Sequence, residues 1–230
     1  MKNNRKKLGK TEKSTTSKKV ESITISPPNF KVGVFTIRGT SMLVQNKFSA
    51  KAKEQIRITQ EAGQAGKKGK KKEGKDFKSL FEGAKHKSVE GWCGIPAPAV
   101  RNAMVSACKI CGFKMTRAKL SVFAEADGFD VDDGIPLIKI TKGKPIPFDI
   151  NKLDTVRNKT GVIDLRARPK WEPGWEAVIK IRFDADQFTL EDVTNLLIRV
   201  GLQVGIGEGR PDSKDSCGMG WGLFEVIVKK

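Results

Sequence analysis

Strand, helix, strand, written twice along the chain, predicts an α+β fold: a ferredoxin-like (RRM-like) βαββαβ core with helices on one face of an antiparallel sheet. Three observations carry it. Apolar side chains alternate in "KVGVFTIRG" and "AKLSVFAEA", they recur at helical spacing in "PAPAVRNAMVSACKICGF" and "TLEDVTNLLIRVGL", and the last strand reads "GLFEVIV". A β-hairpin and a long Lys/Gly-rich insertion are added to that core.

The opening "MKNNRKKLGKTEKSTTSKK" is basic and nearly free of large apolar side chains, so it cannot offset its own ordering entropy. Residues 1–28 therefore read as a flexible basic arm, and residues 29–230 as one domain. Its first strand is "KVGVFTIRG", after Pro27 and Pro28. Between Lys47 and Glu90 the pattern dissolves into "EAGQAGKKGKKKEGKDFK", so 47–90 reads as a mobile basic insertion, with some structure in "FSAKAKEQIRIT". In the first helix Val100, Met104, Ala107, Cys108 and Cys111 share one face, with Pro98 suited to the first turn and Gly112 to the C-cap. "AKLSVFAEA" sets Leu120, Val122 and Ala124 against Lys119, Ser121 and Phe123 and reads as a half-buried strand.

Residues 127–153 are punctuated by Pro and Gly, with "PLIKI" a short strand candidate. In "GVIDLRARPKWEPGWEAVIKIRF", two alternating runs flank a segment from Trp171 to Trp175, where Pro173-Gly174 favours a type II turn; this is the expected hairpin. Thr189 and Asp192 make a capping-box pattern ahead of Val193, Leu196, Leu197 and Val200 on one helical face.

The chain has 230 residues, 38% of them hydrophobic, which suits a single core. A formal charge of +18, from 44 Lys and Arg against 26 Asp and Glu, predicts attraction to a polyanion, nucleic acid first. No apolar run approaches the roughly 18 residues of a membrane span, and the basic N-terminus lacks a signal peptide's apolar stretch. Cys93, Cys108, Cys111 and Cys217 are too few and scattered for a disulfide framework. A cytoplasmic protein with no membrane partner is expected.

On the expected hairpin, Arg166 and Arg168 oppose Ile163, Leu165 and Ala167, while Lys180 and Arg182 oppose Ile179, Ile181 and Phe183. With the apolar sides on the core, these cations gather on the open face to neutralise phosphates, and Trp171 and Trp175 stand ready to stack on bases. Arg38 and Lys47 extend the basic set. Towards the end, Gly205, Gly207, Gly209, Gly218, Gly220 and Gly222 precede the last strand. A dinucleotide fingerprint needs a strand before its glycines and a helix after them, the reverse of the order here. A loop whose amides approach a sugar-phosphate backbone fits better, with Arg210, Ser213 and Lys214 beside it. Cys108 and Cys111 read as core thiols, and no metal or cofactor is expected. His86 reads as an exposed loop residue, and Asp127, Asp130, Asp132 and Asp133 as a solvated acidic loop.

"VGVFTIRGTSMLV", "GIPAPAVRNAMVSA" and "LLIRVGLQVGIGEGRPDSKDSCGMGWGLFEV" resemble, in order, motifs of the RAMP superfamily of CRISPR-associated RNA-binding proteins. The resemblance implies a backbone subunit, copies of which line up head to tail along a guide RNA beside other effector subunits. It also implies that Thr40, Ser41, Arg101 and the closing glycines surround the RNA backbone. Members that cleave target RNA carry an aspartate in the loop after the first strand; "GTSMLVQNKFS" has none, so no cleavage is expected. Glu208, Asp212 and Asp215 depart from the more basic loop usual in the family. A stand-alone relative, in a mobile element or virus, stays open. So do a single-stranded DNA-binding or annealing protein, a metal-independent endoribonuclease using His86, and a purely structural part of a larger assembly.

Overall fold

The computed structural model describes residues 26–48, 50–61, 74–157, 161–213 and 218–227. Most of the basic arm, the Gly-Lys run within 62–73, Lys214 and Cys217 lie outside these residues. In chain order the elements are β1 (Phe30–Gly39), β2 (Leu43–Val44), α1 (Ala50–Glu61), α2 (Phe77–Gly83), β3 (Gly94–Pro96), α3 (Ala97–Ala107), α4 (Met115–Ser121), β4 (Val122–Ala124), β5 (Gly128–Phe129) and β6 (Pro136–Lys142). They continue with β7 (Asp154–Arg157), β8 (Ile163–Arg166), β9 (Lys170–Trp171), β10 (Glu176–Asp184), α5 (Leu190–Arg199) and β11 (Phe224–Ile227). The fold is mixed α+β, built on a mostly antiparallel sheet.

In that sheet the order is β11-β1-β10-β6-β3. The far end of β10 pairs with β4, through Ile181 to Ala124, Arg182 to Phe123 and Phe183 to Val122. The alternation of β1 and β10 sends Phe35, Ile37, Ala177, Ile179, Ile181 and Phe183 into one core with Val100 and Met104 of α3 and Val193 and Leu197 of α5. Among the described residues no helix covers the opposite face at β1, where Val32 and Val34 are 52% and 64% exposed. Both helices start as their sequences dictate. Pro98 sits in the first turn of α3, and Thr189 and Asp192 close a reciprocal capping box on α5. After α5 a π turn, Val200–Val204, carries the chain towards the glycine segment.

Four expectations are corrected. "AKLS" is helical and only Val122–Ala124 forms the expected strand: α4 buries Ala118 and Ser121, leaves Leu120 76% exposed, and ends against Arg101, whose guanidinium bonds the Lys119 and Val122 carbonyls. Tertiary capping overrides a short alternation. The hairpin partners are also different. β8 pairs with β7, from Asp154 to Arg166 through Arg157 to Ile163, whereas β10 pairs with β1 along its length. A turn does form at Pro173-Gly174, with Gly174 at φ 96°, yet it follows β9, which pairs with β2. The first helix ends at Ala107, so Cys108 is buried but Cys111 is exposed. Finally, the 47–90 segment holds α1 and α2, and its ends are fastened to the body. The Asp76 carboxylate caps α2, Phe81 is buried, and the Gln45 side chain bonds the Gly94 carbonyl and the His86 amide.

Candidate nucleic-acid interface

The helix-free face of the sheet brings together residues far apart in sequence. The register places Val32 opposite Arg182, Val34 opposite Lys180, Thr36 opposite Val178 and Arg38 opposite Glu176. Arg182 faces Phe123 on its other side. Phe30, at the start of β1, meets Phe123 edge on, with ring centroids 5.8 Å apart and planes at 72°. The Arg182 guanidinium lies 5.1 Å from both ring centroids, and that of Arg101 lies 5.2 Å from the Phe123 ring. Arg101, bonded to the carbonyls at the end of α4, is thus a positioning residue for Phe123 and not a free cation. Phe30 is 38% exposed, and Arg182 is exposed and forms no ion pair among the described residues. Two rings, a delocalised cation and a valine strip form a surface on which a base can stack while its phosphate meets Arg182.

The other cations of this face are partly neutralised. Arg38 bonds Glu176 at 2.9 Å and lies 3.8 Å from Glu225, and Lys180 bonds Asp127 at 3.2 Å. The expected stripe of four cations is not assembled. Arg166 stands on β8, 3.8 Å from Asp164. Arg168 is buried between Asp154 at 3.1 Å and Glu208 at 3.0 Å, beneath a rim where it and Lys170 lie over the Trp221 ring. Trp171 and Trp175 are fully buried, so neither can stack on a base; the Trp175 indole donates to the Ser41 carbonyl at 2.9 Å.

Lys47 is likewise no surface cation. Its side chain is 2% exposed and its ammonium bonds Asp130 and Asp132. The His86 ring, 3.2 Å from Asp130 through Nδ1, completes the cluster, so His86 and Asp130 are packed groups and not parts of solvated loops. Burial pushes the Asp130 carboxyl up, but hydrogen bonds from Lys47, the Asp132 amide and His86 outweigh it and hold the group below its usual range. Burial pulls the Lys47 ammonium down, and its bonds to Asp130 and Asp132 more than restore it. For His86 burial wins over Asp130, and its pKa falls.

Four of the closing glycines, Gly205, Gly207, Gly209 and Gly222, pack against this protein's own atoms. At Gly207, φ is 81° and a Cβ would stand 2.7 Å from the Val44 carbonyl oxygen; at Gly222, φ is 72° and a Cβ would overlap the Ile206 carbonyl. Hydrogen bonds from the Glu208 amide to the Val44 carbonyl, 2.9 Å, and from the Gly222 amide to the Met42 carbonyl, 2.7 Å, clamp the segment onto β2. Gly205 and Gly209 face similar crowding, whereas Gly218 and Gly220 have room around them. Ser41 belongs to the same clamp, its hydroxyl accepting from the Leu223 amide at 2.9 Å, while Thr40 beside it is exposed. Arg210 turns back to the Gly207 carbonyl at 3.0 Å, and Ser213 is half-buried.

Sequence reasoning missed Phe30 and the pairing of Phe123 with Arg182. Alternation over "FKVGVFTIRG" puts Phe30, Val32 and Val34 on one side, a signal available once the other side is recognised as core. Burial pushes the Cys108 thiol up to about 11. Among the described residues no cluster of His, Cys, Asp and Glu is arranged to hold a metal, and no helix is long and apolar enough to cross a membrane. No family model matches the chain, and no curated protein matches it.

Proposed function

We propose that this chain is a non-catalytic RNA-binding protein of the cytoplasm that holds a single strand on the open face of a ferredoxin-like core, in the manner of the RAMP-superfamily backbone subunits it resembles. Copies of it sit side by side along one guide-like RNA. The observation that carries the reading is the juxtaposition of Phe30, Phe123 and Arg182 on a helix-free sheet face. The strand order β11-β1-β10, continued by β4 on β10, with α3 between β1 and β4 and α5 between β10 and β11, supports the ferredoxin-like core. The +18 charge supports a polyanionic partner.

The test is a titration of oligouridylate with the wild type, Phe30→Ala and Arg182→Ala. Both side chains are solvent-accessible, so the melting curves should overlay. Losing one stacked base costs about 1–3 kcal/mol, so Phe30→Ala should weaken binding about 5- to 150-fold. Arg182→Ala should lower the log-log salt slope by about 0.7, the value for one phosphate on a single strand. Unchanged affinity in both variants would overturn the reading. Equal affinity for DNA of the same sequence would turn it towards a single-stranded DNA-binding or annealing protein.

A further inference from the structure

Where α3 ends, the turn that follows it faces one stripe of α5 across a cavity of about 260 Å³. The turn contributes Cys111 and Phe113, α5 contributes Asn195 and Arg199, and the residues leading into α5 contribute Gln187 and Phe188. Cys111 is exposed, whereas Cys108 on the same cavity is 1% exposed. Phe113 packs on Phe188 with ring centroids 4.7 Å apart, and the Arg117 guanidinium lies 6.0 Å from the Phe113 centroid. Arg117 and Arg199 are exposed, and neither forms an ion pair among the described residues. Lys109 and Lys114, also exposed, flank Cys111 in sequence. The carboxylate on the lining, Asp192, is held by Thr189 in the capping box. The Gln187 carboxamide oxygen is buried with no hydrogen-bond partner among the described residues, and an N–H donor in the cavity would satisfy it once the carboxamide turns. An exposed thiol, unpaired guanidinium groups and an orphaned acceptor around one cavity suit a ligand with carboxylates, an amide and an exchangeable sulfur.

We propose that Cys111 is a modification site at which an anionic peptide disulfide of the oxidised-glutathione class forms a mixed disulfide, its carboxylates meeting Arg117 and Arg199 and its amide meeting Gln187. The Cys111 thiolate attacks one sulfur of that disulfide, whose S–S bond breaks as the new bond to Cys111 forms. The leaving thiolate takes up the proton that Cys111 released, so the Cys111 sulfur is oxidised as the departing one is reduced. Exchange halts there because burial pushes the Cys108 thiol up to about 11 and leaves little thiolate to displace the adduct. Cys93 is half-buried and burial pushes its thiol up as well, which sets Cys111 apart from it. The site lies on the helix side of the sheet, apart from the open face, and does not depend on RNA binding.

The experiment exposes the full chain, near neutral pH, to oxidised glutathione or to the neutral hydroxyethyl disulfide and maps the adducts over time by mass spectrometry. Glutathione should accumulate on Cys111 ahead of Cys93 and Cys108. The double variant Arg117→Ala/Arg199→Ala should acquire it about 2- to 30-fold more slowly, the range for two exposed charge pairs, and should react with the neutral disulfide at the wild-type rate. If the double variant fails to fold, Arg199→Gln alone decides, with glutathione uptake slowed about 1.5- to 5-fold and the neutral reaction unchanged. A variant that slows both reagents alike, or neither, overturns the site. So does a chain whose Cys111 stays free while Cys93 or Cys108 is modified, or one that forms a Cys108–Cys111 disulfide in place of the adduct.

Discussion

Replacing Lys47 with Met separates a structural lysine from an RNA-contacting one. The side chain is 2% exposed, and its ammonium bridges Asp130, fully buried, and Asp132. Met keeps much of the side chain's bulk but leaves the Asp130 carboxylate with only His86 and the Asp132 amide as hydrogen-bond donors. Removing one partner of a buried pair costs about 3–5 kcal/mol, because the remaining charge is left without its counterion. At about 2–4 °C per kcal/mol for a chain of this size, Lys47→Met should melt about 6–20 °C below wild type. Urea unfolding read by circular dichroism should show a lower midpoint with an unchanged m-value. In the same preparation, below its melting temperature, the RNA salt slope should equal that of the wild type. Wild-type stability combined with a slope lowered by about 0.7 would refute the reasoning and restore Lys47 to the RNA surface.

Acidification should destabilise the same cluster. His86 and Asp130 lie below their ordinary 6.5 and 3.8, so the folded chain binds fewer protons than the unfolded one as each titrates, and stability falls as pH drops through those windows. Lys47 lies above its ordinary 10.5 and has the opposite sign, losing its contribution as pH rises through its folded value. Urea midpoints should therefore form a plateau from about pH 7 that ends near pH 9, where the Cys93 and Cys108 thiols, raised by burial above their ordinary 9.0, begin to ionise in the unfolded chain first; a midpoint that rises below pH 6 would contradict this assignment. Gly222→Ala should fail to fold or melt far below wild type, whereas Gly220→Ala, with open space around its Cβ, should lose only the roughly 1–2 kcal/mol of a left-handed L-residue. Equal melting temperatures for the two would argue that the close approach to the Ile206 backbone is not what needs glycine. Deleting residues 1–20 should leave melting unchanged and weaken non-specific RNA affinity, because that stretch supplies charge but almost no core side chains. A large drop in melting temperature would show that the stretch belongs to the core.

Much of the architecture is legible where periodicity is long. β1, α3, α5 and β11 follow from alternation, helical spacing, Pro98 and the Thr189–Asp192 cap. The failures come from non-local terms. "AKLSV" alternates over too few residues to resist the capping supplied by Arg101, 18 positions before Lys119. The hairpin fails because turn chemistry at Pro173-Gly174 fixes a reversal but does not choose which strands pair across it, and β1 captures β10. The candidate site divides in the same way. Arg38, Lys180 and Arg182 reach the open face by alternation alone, but the neutralisation of Arg38 by Glu176 and of Lys180 by Asp127 depends on long-range packing. Lys47 and Arg168 look like surface cations in sequence, and only the fold brings their buried carboxylate partners to them. The glycines announce unusual backbone, though not whose backbone they approach.

The most direct test of the open-face account is ultraviolet crosslinking of the wild-type chain to oligouridylate at moderate salt, with the adduct mapped by mass spectrometry. Phe30 and Phe123 flank Arg182 on the helix-free face, so adducts are predicted on one or both rings. Adducts confined to residues 1–25 or 62–73, with both phenylalanines unmodified, would contradict the account and leave RNA held by the basic segments alone.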